Sequence, residues 1–388
     1  MLKRIRLKDF KSFVDEEVEV APLTLLVGAN ASGKSNFLDA IRFLKGISFD
    51  LTLSEVLNGE TRSRPDAWPG LRGRAEEAVR LGTEAFTVDT TWLATESSDY
   101  PEPSFMQPLP DQIEIRHFIT SLISPIIGVG KEIFGELDGQ SATSRAGKLR
   151  SMMADHDLLL SLNSLKRSLV VALREALRKI QLLRIDPSTM RGYGRRDELL
   201  GEDGKNISGV LARFCDFAEE KQSFIAWLTQ FCAPEIEGID FLEVKELGDV
   251  MAMFVEKGGQ RISARSISDG TLHFLGTLLA LRTAEPGAVI LIEEIEAGLH
   301  PTRIRLLVEY LKAVTRERQI QVIATTHSPV VLQWLSDESL RSTIVFGRVP
   351  DHEGTIMRRL GDLPHFNEVV ERTGIEEMFT TGWLEMAL

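Results

Sequence analysis

Gly28-Ala29-Asn30-Ala31-Ser32-Gly33-Lys34-Ser35 fits the spacing G-x-x-x-x-G-K-[ST]. That spacing suits a phosphate cradle. Glycines let backbone N–H groups turn inward on the phosphates, and the start of the following helix adds a favourable dipole. Lys34 would reach the β- and γ-phosphates, and the Ser35 hydroxyl would hold Mg²⁺. The candidate ATP-binding set is Gly28, Asn30, Ala31, Ser32, Gly33, Lys34, Ser35 and Asn36. The alternative is a chance Gly-rich turn. The apolar run Leu23–Val27 before the loop and the helical spacing of apolar residues from Asn36 to Lys45 after it argue against that.

Three further stretches suit the same chemistry. Ala288–Ile292 is an uninterrupted apolar run that ends in Glu293-Glu294. An acid at such a strand end holds Mg²⁺ through its water shell, and the next acid can polarise an attacking water. Two solvated glutamates at a strand edge are the plainer reading. Ser266-Ile267-Ser268-Asp269-Gly270-Thr271 precedes an apolar helix about 20 residues before Glu293. Ser268 or Ser266 could cap that helix, and Gly270 would permit close backbone approach; a simple N-cap is the competing reading. His327 follows the apolar strand Val322-Ile323-Ala324, where it could donate to a γ-phosphate oxygen.

The elements that must position these groups alternate strand and helix. Strands are expected at 2–10, 16–20, 23–27 and 86–93, a helical pattern from about 111 to 183 and again at 206–231, and strands at 240–246, 250–256 and 260–264. The expected fold is an α/β domain, a mixed sheet with flanking helices, split in sequence by a helical insertion domain. The α/β domain falls into an N-terminal part over 1–100 and a C-terminal part over 240–350. The insertion or lid covers 101–239, and 351–388 is a tail.

Composition is ordinary for a soluble protein, with 43% hydrophobic and 26% charged residues. Net charge is −12, which excludes a generic basic DNA coat but leaves room for a local basic patch. Cys215 and Cys232 read as reduced, mostly buried small hydrophobes in a reducing compartment. The charged start Lys3-Arg4-Ile5-Arg6 does not suit a signal peptide, and no run is long enough to span a membrane, so a cytoplasmic location is expected.

In order, these motifs resemble the ABC-type ATPase heads of the SMC, RecF and OLD-like group, with Walker A, signature, Walker B, D-loop and switch histidine all present. The opening Leu7-Lys8-Asp9-Phe10-Lys11-Ser12-Phe13 is similar to that group. The segments Glu296–Pro301, Asp203-Gly204-Lys205-Asn206 and Gly361-Asp362-Leu363-Pro364 resemble stand-alone AAA15/AAA21-type ATPases. The resemblance implies a homodimer that sandwiches ATP and Mg²⁺. Glu294 would be the general base, Glu293 the Mg²⁺-shell acid, His327 the γ-phosphate sensor and Lys34 the phosphate-binding lysine. Ser268 and Gly270 would act in trans. It implies an ATPase that gates DNA engagement or a separate effector or nuclease subunit, in DNA maintenance or anti-phage defence.

Two departures stand out. Glu293 replaces the usual Walker B aspartate. No glutamine precedes Gln107, so the Q-loop role would pass to Asp50, Asn58 or an arginine within 62–74. The absent glutamine weighs against a transporter subunit; an ATP-binding scaffold with negligible turnover is the other alternative. Candidate DNA-facing cations are Arg191, Arg195 and Arg196, then Lys166, Arg167, Arg174, Arg178 and Lys179, and Lys3, Arg4, Arg6 and Lys8. A solvated helix face is the plainer reading of the second group.

Overall fold

The computed structural model describes residues 1–49, 51–60, 67–83, 85–95, 112–123, 129–137, 140–146, 164–231, 236–349 and 352–388. In chain order its strands are β1 (Leu2–Lys8), β2 (Asp15–Glu19), β3 (Leu23–Gly28), β4 (Ala85–Thr95), β5 (Gln112–Ile123), β6 (Val129–Leu137), β7 (Gln140–Ala146) and β8 (Ile180–Leu183). They continue with β9 (Gly194–Arg195), β10 (Ile236–Val244), β11 (Asp249–Glu256), β12 (Arg261–Ser263), β13 (Val289–Ile292), β14 (Gln321–Thr325), β15 (Ile344–Gly347) and β16 (Ile356–Arg359). The chain divides into two compact units, one of 1–180, 287–289 and 336–388, the other of 181–286 and 290–335.

In the first unit an antiparallel sheet runs β2-β1-β4-β5-β6-β7. A mixed run places β15 parallel to β3 and antiparallel to β16, with Phe346 in register with Gly28. All six residues of β3 are buried, as its apolar sequence requires. The helix Lys34–Ser48 packs between the two sheets through edge-on aromatic pairs, Phe37 on Phe346 at 5.5 Å and Phe43 on Phe86 at 5.3 Å.

The helical reading of 111–183 differs from this structure. Residues 112–123, 129–137 and 140–146 form three antiparallel strands, and the helix occupies only Ser164–Arg178 among the described residues. The β-branched Ile113, Ile115, Ile119, Thr120 and Ile123 favour a strand over a helix. Pairing with β4 along the whole of β5 supplies the partner that a local window does not see.

In the second unit β10, β11 and β12 form an antiparallel meander, and β9 pairs with β11. The strands β14, β13 and β8 lie side by side. The helix Asp269–Thr283 is buried at Leu272 and continuously from Phe274 to Leu281. Its Phe274 ring stacks on Phe231 at 4.1 Å, and Trp227 of the neighbouring helix Ala218–Phe231 meets Tyr310 edge-on at 4.9 Å.

Candidate functional site

The phosphate loop lies in the first unit. The chain leaves β3 at Gly28 with φ +139°, passes Ala31 at φ +62° and enters the helix through Gly33 at φ +112°. Left-handed residues at these points turn the intervening amides toward the inside of the loop. Neither glycine can be replaced without collision. A Cβ on Gly28 would lie 2.1 Å from the Phe346 carbonyl oxygen, and one on Gly33 would lie 2.6 Å from Thr355 Oγ1. Ala29, Asn30 and Ala31 are exposed, while Ser32, Gly33 and Lys34 are buried and Ser35 and Asn36 half-buried.

Lys34 folds back into its own loop. Its Nζ donates to the Gly28 carbonyl at 2.6 Å and to the Ala29 carbonyl at 2.8 Å. Burial pushes its pKa down, partly opposed by the negative charge of Glu385. The Ser32 hydroxyl is buried and makes no hydrogen bond. A buried hydroxyl and an ammonium satisfied only by loop carbonyls fit an acceptor-rich ligand such as a triphosphate.

A latch of side chains fixes the outside of the loop. Thr355 Oγ1 donates to the Ser32 carbonyl at 2.9 Å and bonds the Ser12 hydroxyl at 2.8 Å. Asn36 Nδ2 donates to the same Ser12 hydroxyl at 2.9 Å. The K-S-F turn therefore serves the loop through Ser12. Among the Q-loop substitutes, Arg72 donates to the Ser35 carbonyl at 2.5 Å and pairs with the buried Asp39, which Lys11 also grips at 2.6 Å. Asn58 is occupied locally, its Oδ1 accepting from the Ala75 amide at 2.9 Å. Asp50, Arg62, Arg64 and the side chain of Arg74 lie outside the described residues.

The carboxylates lie in the second unit. All four residues of β13 are buried, and the chain then emerges at half-buried Glu293 and exposed Glu294. Arg184, at the end of neighbouring β8, pairs with Glu293 at 3.1 and 3.3 Å. Glu294 takes φ +51°, uncommon for a residue with a Cβ, and its amide donates to Thr325 Oγ1 at 2.8 Å. Backbone turned in this way presents the Glu294 side chain to solvent at a fixed point. Glu296 accepts the His327 amide at 2.8 Å, and its second carboxylate oxygen is buried without a partner. His327 itself is exposed, at the end of fully buried β14.

The loop over 266–271 combines both readings of its sequence. Ser268 Oγ accepts the Thr271 amide at 3.2 Å, an ordinary N-cap. Gly270 packs against Gly298, and a Cβ there would lie 2.3 Å from the Gly298 carbonyl oxygen. One turn further on, half-buried His273 has its pKa lowered by burial, opposed by the charge of Glu294. Among the described residues no group of three or more His, Cys, Asp or Glu side chains could hold a metal ion.

The supposed DNA-facing cations are mostly engaged within the protein. Arg191 is turned onto the 264–269 loop rather than sharing a free basic cluster with Arg195 and Arg196. Arg196 pairs with Asp216 and Glu243, and Arg195, its side chain 82% exposed, pairs with Asp249 at 3.7 Å. Arg4 pairs with Glu17 and Arg6 with Asp15, so acids of β2 offset the basic face of β1. Arg174 donates to the Ser48 carbonyl and Arg178 pairs with Glu175. The side chains of Lys166 and Arg167 lie outside the described residues. Arg184 and Thr355 escape sequence reasoning, since no local motif marks them, while Arg191 is read there only as a DNA-facing cation and Glu296 only as part of the segment 296–301.

Residues 138–333 match the family described as AAA domain, putative AbiEii toxin, Type IV TA system, and residues 1–91 match the AAA ATPase domain. The OLD nuclease of Thermus scotoductus is 23% identical over 364 residues, covering 88% of this chain and 61% of that protein. The DNA replication and repair protein RecF of Desulforudis audaxviator is 34% identical over 116 residues, covering 23% of this chain and 32% of that one. The chain thus spans less than two thirds of the length of either relative. An ATP/GTP phosphatase of Helicobacter pylori is 20% identical over 368 residues, covering 88% and 89%. Among solved structures, an SMC head bound to the C-winged helix domain of ScpA superposes with TM-score 0.54 at 16% identity, covering 93% and 98%. The Pyrococcus furiosus SMC head with an extended coiled coil gives 0.50 at 13%, covering 95% and 98%. These structural likenesses show the fold, an ABC-type P-loop ATPase head.

Proposed function

The chain belongs to the family described as AAA domain, putative AbiEii toxin, Type IV TA system, within the SMC/RecF/OLD-like ABC-type ATPases, and on that premise we propose that it binds and hydrolyses ATP and dimerises around it. The observation that carries this reading is the phosphate loop, with Lys34 held by Gly28 and Ala29 beside the unpartnered Ser32 hydroxyl. Lys34 and the inward amides bind the triphosphate. Ser35 and Glu293 would hold Mg²⁺, which when bound supplies neutralisation of phosphate charge. Glu294 takes the proton of the attacking water, and His327, fixed through Glu296, donates to the γ-phosphate. Ser268 and Gly270 of a second copy complete the anion-binding surface with a helix N-terminus. Dimer closure on ATP and release after hydrolysis would gate access to DNA or to a separate effector, in DNA maintenance or defence. The names of the RecF and OLD nuclease relatives support that direction.

The test is light scattering of Glu294→Gln with ATP and Mg²⁺. The expected result is a doubled mass and lost turnover, with Lys34→Ala neither binding ATP nor doubling. A Glu294→Gln protein that stays single and hydrolyses ATP at the wild-type rate overturns the proposal.

A further inference from the structure

The signature loop runs from the end of β12 to the helix Asp269–Thr283, over residues that belong to no strand or helix. Backbone carbonyls in such a stretch have no ladder partners and must be satisfied otherwise. Three of them converge on one guanidinium. Arg191 Nη1 donates to the carbonyls of Arg265 at 2.6 Å, Ile267 at 2.8 Å and Ala264 at 3.3 Å. Its Nη2 donates to Asp269 Oδ1 at 2.5 Å, in the first turn of the helix. A second tie joins the same two segments, with the Arg265 guanidinium 5.7 Å from the Tyr193 ring centre. On the other side the loop rests on Gly298 through Gly270, where no Cβ fits.

We propose that Arg191 is a positioning residue that sets the height and direction of Ser268 and Gly270 for engagement of a second copy's nucleotide. This rests on the ATP-sandwich reading above. The geometry needs a planar fork with several donors. Lysine offers one point charge and cannot reach three carbonyls and a carboxylate together. Arg191 spends both terminal nitrogens on the 264–269 segment, so its loss should separate nucleotide affinity from dimer formation. The cap hydroxyl of Ser268 would keep the helix itself intact.

The experiment uses Arg191→Lys and Arg191→Ala, each alone and combined with Glu294→Gln. Amide exchange of residues 264–271 in the nucleotide-free protein should accelerate at least tenfold. The protein concentration needed for ATP-dependent mass doubling should rise at least tenfold, while ATP affinity of the single copy stays within twofold. Unchanged exchange in 264–271 overturns the positioning role whatever the oligomeric state. So does a loosened loop that still dimerises at the wild-type concentration. Failure of Glu294→Gln to double with Arg191 intact overturns the sandwich reading itself, and with it the trans role given to the loop.

Discussion

Arg184 holds Glu293 in a two-pronged ion pair, Nε to Oε2 at 3.1 Å and Nη2 to Oε1 at 3.3 Å. Both side chains are about 30% exposed, so the pair orients more than it stabilises. An orienting partner of a carboxylate at a metal site commonly carries about 10–100-fold in affinity or activity. Arg184→Gln is accordingly expected to lower the rate of ATP hydrolysis by about 10–100-fold with the melting temperature nearly unchanged. Steady-state phosphate release at saturating Mg²⁺ checks this, and a wild-type rate would show that Glu293 needs no such support.

Gly270→Ala sets helix propensity against packing. Alanine is better than glycine inside a helix by roughly 1 kcal/mol. Here the added methyl would lie 2.3 Å from the Gly298 carbonyl oxygen, a backbone atom that cannot swing aside. Overpacking of this kind costs about 1–3 kcal/mol, so the variant should be less stable in urea despite its better helix former. A more stable variant would mean that the helix Asp269–Thr283 and the Gly298 loop do not touch.

Burial pushes the Cys215 thiol from 9.0 up to about 11. At pH 8 the thiolate fraction is then about 1 in 1,000, against roughly 1 in 10 at the ordinary value. In a Cys232→Ser background, alkylation of Cys215 at pH 8 should be about 100-fold slower than that of a small free thiol. The rate should climb about tenfold per pH unit to pH 10. Rapid labelling at neutral pH would contradict the raised pKa of this half-buried side chain.

The chemistry of this protein is legible where it sits at the junction of one apolar run and its terminator. Leu23–Val27 before Gly28, and Val289–Ile292 before Glu293, are buried strands whose ends are fixed by a few neighbouring residues. The Ser268 cap is equally local. What holds these groups is not local. Arg191 reaches Ile267 across 76 positions and Arg184 reaches Glu293 across 109, and nothing in either arginine's neighbourhood announces the target. The strands at 112–146 gain their identity from pairing with one another and with β4, which no periodicity window contains.

The Thr355 latch has a consequence for the timing of synthesis. The glycine loop leaves the ribosome first, and the hydroxyl that braces the Ser32 carbonyl is translated 323 residues later. At 5–20 residues per second that interval lasts roughly 15–65 s. A nascent chain therefore carries its glycine loop unbraced until residue 355 has emerged, so the finished latch marks a polypeptide in which both distant segments have been made and brought together.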